Sequence, residues 1–245
     1  MTMREVQRRL AIRPHQGRFS SAELDGLPDV ARRMLAAAIA PGTPLAASAR
    51  LRMRGSIKLN RWLSLRATQL IAPGVGFLWR ARVAGLIYGY DRSFDGEGEM
   101  RWTLGGVFTV ASGSGPDVSR SSAGREVGEA FWVPTTLLPR FGVHWRADDD
   151  RHAIARIPSG TDAVEVTYEV GDEGEVRSLA FQRWGDPDGT GQFAMHSFGG
   201  TMTKHETFGG VTIPTRGTVG WHFGQPSWPS GEFFRFQIDD LQPVR

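Results

Sequence analysis

The 245-residue chain contains no cysteine. That absence excludes a disulfide framework, a cysteine nucleophile and any thiolate-ligated metal, and it fits a reducing compartment. Lysine is almost missing too: of 29 basic residues only Lys58 and Lys204 are lysine, the others being arginine. The net charge is only +3, too small for overall electrostatics to point to nucleic acid or a membrane surface. No apolar run reaches the roughly 18 residues of a membrane-crossing helix; the longest, around Met34–Ala40, stops at Pro41 and Gly42. The N-terminal stretch carries several arginines but no continuous apolar core of signal-peptide length. These features lead to the expectation of a soluble, cytoplasmic protein without stable membrane insertion.

Familiar chemical signatures are lacking as well. There is no G-x-S-x-G elbow, phosphate-binding loop, dinucleotide fingerprint or H-E-x-x-H pair. Gly96-Glu97-Gly98 lacks a third glycine. The six histidines are scattered, and although His196, His205 and His222 fall on neighbouring C-terminal segments, their spacing is not that of a metal site. The reading is no metal and no cofactor.

What the chain has is period-two alternation. Ala49, Leu51, Met53, Ile57 and Leu59 alternate with Arg50, Arg52, Arg54, Ser56 and Lys58. Leu63, Leu65 and Ala67 continue the pattern, as do Val75, Phe77, Trp79, Ala81 and Val83. Asp95-Gly96-Glu97-Gly98 and Gly171-Asp172-Glu173-Gly174 read as hairpin turns. The Gly/Ser-rich stretch Ala111–Ser122 reads as a loop. Two segments have helical character: residues 28–40, with an apolar stripe of Val30, Met34, Leu35, Ala38 and Ile39, and residues 122–132, stopped by Pro134. The expected architecture is mainly β, with a minor helical part. It is a single strongly curved antiparallel sheet, or half-barrel, of about ten strands, its concave face covered by the two helical segments. Residues 1–26 form a basic N-terminal segment and 27–245 the sheet domain.

Six stretches in order, LPDVARRML (Leu27–Leu35), GFLWRARV (Gly76–Val83), DGEGEM (Asp95–Met100), EAFWVPTTLLP (Glu129–Pro139), GVHWRADD (Gly142–Asp149) and GGVTIPTRGTVGWH (Gly209–His222), resemble an uncharacterised bacterial family known only as a domain of unknown function. Such proteins look like the lipoprotein-carrier type of half-barrel. The resemblance implies a curved antiparallel sheet with helices over its apolar concave side.

Alternation puts Trp79, Trp102, Trp145 and Trp221 on the apolar side of their strands. With Phe77, Met53, Phe131 and Trp132 they are the candidate lining of a cavity, because about ten strands enclose more space than a small barrel fills. Arg125 and Glu129 lie four apart on one helix face. If that face covers the concavity, Glu129 is a desolvated carboxylate suited to proton transfer and Arg125 a bidentate anion holder; otherwise they are a surface ion pair. His144, His205 and His222 complete the catalytic candidates, with alternation setting His144 opposite Trp145. Asp91, Asp95, Glu97 and Glu99 read as a solvated acidic turn, and Arg50, Arg52 and Arg54 as a solvated strand face without the exposed aromatics of a nucleic-acid groove. The functional expectation is a binding module for a small lipophilic molecule. The alternative is a cofactor-independent isomerase, cyclase or hydrolase using the same cavity.

Overall fold

The computed structural model describes residues 2–11, 14–160 and 162–244. Helix α1 (Met3–Ala11) is followed by strand β1 (Pro14–Arg18), helix α2 (Asp29–Ala38) and strand β2 (Pro44–Ala46). A six-strand run comes next: β3 (Ser48–Lys58), β4 (Trp62–Ala72), β5 (Gly76–Val83), β6 (Ile87–Phe94), β7 (Glu97–Leu104) and β8 (Phe108–Ser114). Helix α3 (Pro116–Gly128) and three short 3-10 turns lead to a second run. It comprises β9 (His144–Ala147), β10 (His152–Ser159), β11 (Asp162–Val170), β12 (Val176–Gly185), β13 (Ala194–Phe208), β14 (Val211–Trp221) and β15 (Glu232–Val244).

The two runs make one antiparallel sheet of 13 strands in the order β8-β7-β6-β5-β4-β3-β15-β14-β13-β12-β11-β10-β9, while β1 and β2 pair separately. Each run is a meander of neighbouring hairpins, and the last strand, β15, joins them by pairing with β3. The expected curved antiparallel sheet is therefore present, with more strands than the alternation indicated. Strand β6 escapes notice because Tyr88 and Tyr90 put aromatic rings on its outer face and blur the period of two. Strand β8 occupies part of the expected Gly/Ser loop; it is an edge strand with no buried residue, so it carries no apolar alternation.

Cross-strand register shows which side chains share a face. Leu51, Gln69, Trp79, Asp91 and Met100 lie in one transverse row, and Met53, Ala67, Ala81, Gly89 and Trp102 in the next. These rows, with Phe236 and Ile238 of β15 and Leu179 and Phe181 of β12, form the concave face and the main core. Helix α2 lays Val30, Met34 and Leu35 into this core, as its stripe requires. Helix α3 starts six residues earlier than expected, because Pro116 occupies the first turn, where its missing N–H costs nothing, and Asp117 faces the positive end of the helix. It ends at Gly128, so Phe131 and Trp132 sit on the following 3-10 turn Ala130–Trp132.

The N-terminal segment is more ordered than its composition suggests. Val6 and Leu10 of α1 are fully buried against Leu70, Ala72, Leu78 and Phe94, on the opposite, convex face of the sheet. A second, small core thus lies outside the main one. No helix among the described residues is long and apolar enough to cross a membrane.

Candidate functional site

The concave face is not filled. Between the sheet, α3 and the 3-10 turn that follows lies a cavity of about 620 Å³, within the usual range for a small-molecule site. Five of the eight aromatic or apolar candidates line it: Trp79, Trp102, Phe131, Trp132 and Trp221. They stand in a continuous belt with phenylalanines of the central strands. Trp79 and Trp102 are 5.6 Å apart, Trp132 and Phe236 5.3 Å, and Phe198 and Trp221 5.0 Å, mostly tilted or edge to face.

The other three candidates are elsewhere. Trp145 packs 5.9 Å from the Tyr168 ring and donates to the Leu137 carbonyl at 2.9 Å. Met53 is buried in the main core. Phe77 lies in the layer beneath, where the Arg125 guanidinium covers its ring at 4.5 Å. They face the same side as the cavity residues but meet other side chains instead of empty space.

Two glycines explain why the tryptophans leave a hollow. Gly89 is the register partner of Trp102, and a Cβ there would come within 2.1 Å of the indole. Gly185, though not in register with Trp221, is as close to it: a Cβ there would come within 2.2 Å of the indole. Each glycine leaves room for an indole that a side chain there would displace. Two further glycines bring α3 close to β12: a Cβ at Gly128 would meet the Phe181 ring at 2.5 Å, and one at Gly124 the Arg183 side chain at 3.3 Å.

Into this apolar chamber α3 inserts charge. Arg125 bonds Glu129 at 2.7 Å through Nε and Asp91 at 2.8 Å through Nη1. Gln69 Nε2 donates to the second Glu129 oxygen at 2.5 Å, and Trp102 Nε1 to the second Asp91 oxygen at 3.2 Å. The Arg125 side chain is only 18% exposed, so the surface ion pair is replaced by a buried triad. Asp91 belongs to it and not to a solvated acidic turn; burial raises its pKa, against the pull of Arg125 and the Trp102 hydrogen bond. Asp95-Gly96, by contrast, is a tight turn, both residues having positive φ.

One more cation reaches the chamber. Arg183 of β12 lies 4.6 Å from the Phe198 ring and 5.0 Å from Trp221. Its Nε donates to the Ser121 carbonyl at 3.2 Å. Burial, with the nearby Arg125 charge, brings its pKa down to about 9.

Glu126, on the next face of α3, is buried beside the Gly74 and Val75 backbone and the Ser93 hydroxyl. Burial pushes its carboxyl up to about 8, and the nearby Glu129 charge pushes the same way.

The histidines do not join this centre. His144 is exposed on the convex face, paired in register with Arg156, as its parity opposite Trp145 requires. His205 lines a separate hollow of about 210 Å³ beside α2; burial lowers its pKa, and its Nε2 has no hydrogen-bond partner. His222 follows β14 with a positive φ, its ring 5.8 Å from that of His196. Two of the three C-terminal histidines therefore meet and the third does not. Among the described residues no group of three or more His, Asp or Glu side chains is placed to hold a metal ion.

Gln69, Asp91 and Arg183 were missed as site residues. Their signal was a polar side chain on the inward parity of an otherwise apolar strand, as in Leu65, Ala67, Gln69, Ile71 or Leu179, Phe181, Arg183. On the outside, Arg52 and Arg54 pair with Asp240 and Asp239 of β15 at 3.2 and 2.5 Å.

Among solved structures, the chain is similar to a putative outer membrane lipoprotein-sorting protein domain from Vibrio parahaemolyticus, at 9% identity and a TM-score of 0.43, over 80% of this chain and 85% of that one. It is also similar to a LolA superfamily protein from Nitrosomonas europaea, at 10% identity and a TM-score of 0.46, over 87% and 91% of the two chains. No curated protein matches it. Residues 17–233 match the model of a family of unknown function, DUF6544, and the chain belongs to that family.

Proposed function

We propose that the protein binds a small lipophilic molecule in the cavity of its curved sheet. The observation that carries this reading is a hollow of about 620 Å³ walled by Trp79, Trp102, Trp132, Trp221 and several phenylalanines, and kept open by the glycines under two of those indoles. Apolar area of this kind is stabilised by whatever excludes water from it, at roughly 25 cal/mol per Å² covered. Titration with the uncharged probe N-phenyl-1-naphthylamine tests the reading. Saturable fluorescence enhancement, competed by an uncharged lipid ester, is expected; no enhancement, with the fold intact, overturns it.

A second reading rests on Asp91. Its carboxyl is raised by burial and stands at the cavity wall beside Arg125 and Glu129. A carboxyl so placed can pass a proton to or from a bound substrate, as in cofactor-independent isomerases, cyclases or hydrolases. On this reading Asp91→Asn abolishes turnover of a bound lipophile while probe binding persists. Equal turnover by the variant rules out that role for Asp91.

A further inference from the structure

The buried charges of the cavity are balanced in number but not in pairing. Two guanidinium groups, Arg125 and Arg183, face two carboxylates, Asp91 and Glu129. All four carboxylate oxygens are engaged elsewhere: Asp91 by Trp102 and Arg125, Glu129 by Arg125 and Gln69. Arg125 thus holds both acids. Arg183 has no carboxylate within ion-pair distance among the described residues, and its one protein acceptor, the Ser121 carbonyl, takes only Nε–H.

The two terminal nitrogens of Arg183 carry four further N–H groups. The guanidinium carbon lies over both the Phe198 and the Trp221 rings, and Arg183 is part of the cavity wall. The rings offer a cation–π contact, but a ring face is not an acceptor for a bidentate fork. Arg183 is half-buried, and a guanidinium held partly away from bulk water without a hydrogen-bonded anion is costly. Its stem is closely packed: Gly124 lets α3 approach the Arg183 side chain, and β13 covers the other side through Phe198. A planar fork lining an otherwise largely apolar chamber matches a carboxylate or phosphate oxygen pair.

Resting on the reading that the cavity takes a lipophile, we infer that its ligand is an anionic amphiphile, with one terminal carboxylate or phosphate on the Arg183 guanidinium and its hydrocarbon part against the Trp/Phe belt. Arg125 is the weaker anchor, because its charge is already paired with both Asp91 and Glu129, whereas Arg183 has no ion-pair partner among the described residues. Asp91 and Glu129 keep the anion from shifting toward Arg125, since it would face two negative groups there.

Competition against N-phenyl-1-naphthylamine tests the assignment, using dodecanoate, dodecyl phosphate and methyl dodecanoate on the full chain. The three share one tail, so their differences report the head group. At least one anion is expected to compete about tenfold better than the ester, the scale of a charge-assisted hydrogen bond; which anion does so separates a carboxylate from a phosphate ligand. In Arg183→Met, and in Arg183→Gln should the first fold poorly, that preference disappears. Arg183→Lys retains part of it. Equal competition by all three in the unaltered protein, or a preference that survives both neutral substitutions, overturns the anchor while leaving the lipophilic cavity standing. If the probe itself does not bind, the cavity reading and the anchor fall together.

Discussion

Gly89 lies directly beneath the Trp102 indole, paired with it across β6 and β7 so closely that a methyl group would stand 2.1 Å from the ring. Trp102 in turn donates to Asp91 and packs 5.6 Å from Trp79. The missing side chain therefore sets the position of an indole that walls the cavity. Gly89→Ala is expected to lift that indole into the hollow and break its hydrogen bond to Asp91. The fold should survive, at a cost of about 1–3 kcal/mol for overpacking, but affinity for an uncharged probe should fall. Unchanged probe affinity would show that the ring has somewhere else to go.

Among the described residues Arg125 alone pairs with both Asp91 and Glu129. Arg125→Met should cost about 3–5 kcal/mol, the typical loss on removing one partner of a buried ion pair. Adding Asp91→Asn and Glu129→Gln should recover much of it, because no buried charge is then stranded. Denaturant midpoints of the single and triple variants decide; a triple variant no more stable than the single one refutes the triad as the cause.

Glu126 makes stability depend on pH. Its carboxyl titrates ordinarily at 4.5 and in the folded chain at about 8. Between those values the native state holds the extra proton, so folding is favoured at low pH. The contribution is lost as pH rises, by at most about 1.4 kcal/mol per pH unit. Glu126→Gln removes this slope and should make the protein relatively more stable near and above pH 8. Parallel stability-against-pH curves for the two proteins would dismiss it.

Helix α1 rests on its own core across the sheet from the cavity. Leu10→Ala, which empties a fully buried site there, is expected to cost about 2–5 kcal/mol locally. Amide exchange over residues 3–11 should accelerate while probe binding in the cavity stays as it was. Loss of both together would mean that the two cores unfold as one.

Filling the cavity gives the complementary outcome. Val219 lies on its wall. Val219→Trp places a ring in empty space, so probe binding should be lost with little change in melting temperature, whereas a site already filled would be destabilised by overpacking. A large fall in melting temperature would signal that the space is not there.

Much of the architecture follows from spacing alone. Alternation in Ala49–Leu59 and Val75–Val83 assigns each residue to one face of a strand, because successive side chains must point oppositely. It sets Trp79, Trp102 and Trp221 inward and His144 outward, as found. The stripe of α2 likewise needs only a period of 3.6. The i,i+4 spacing of Arg125 and Glu129 puts them on one helix face whatever surrounds that face. Tertiary structure decided what alternation has no means of expressing. Strands β6 and β8 needed their neighbours, one because its rings stand on the outer face while Gly89, Asp91 and Ser93 point inward, and the other because neither face is buried. The union of β15 with β3 joins residues nearly the whole chain apart, and local pattern carries no information about such pairing. Whether an inward ring fills the interior or borders a void depended on the partner it met: glycine under Trp102 and Trp221, but Tyr168 beside Trp145. The roles of Asp91 and Arg183 emerged in the same way, since an inward charge is defined by which opposite charge the fold brings to it, and among the described residues the fold pairs Asp91 with Arg125 and gives Arg183 no ion-pair partner.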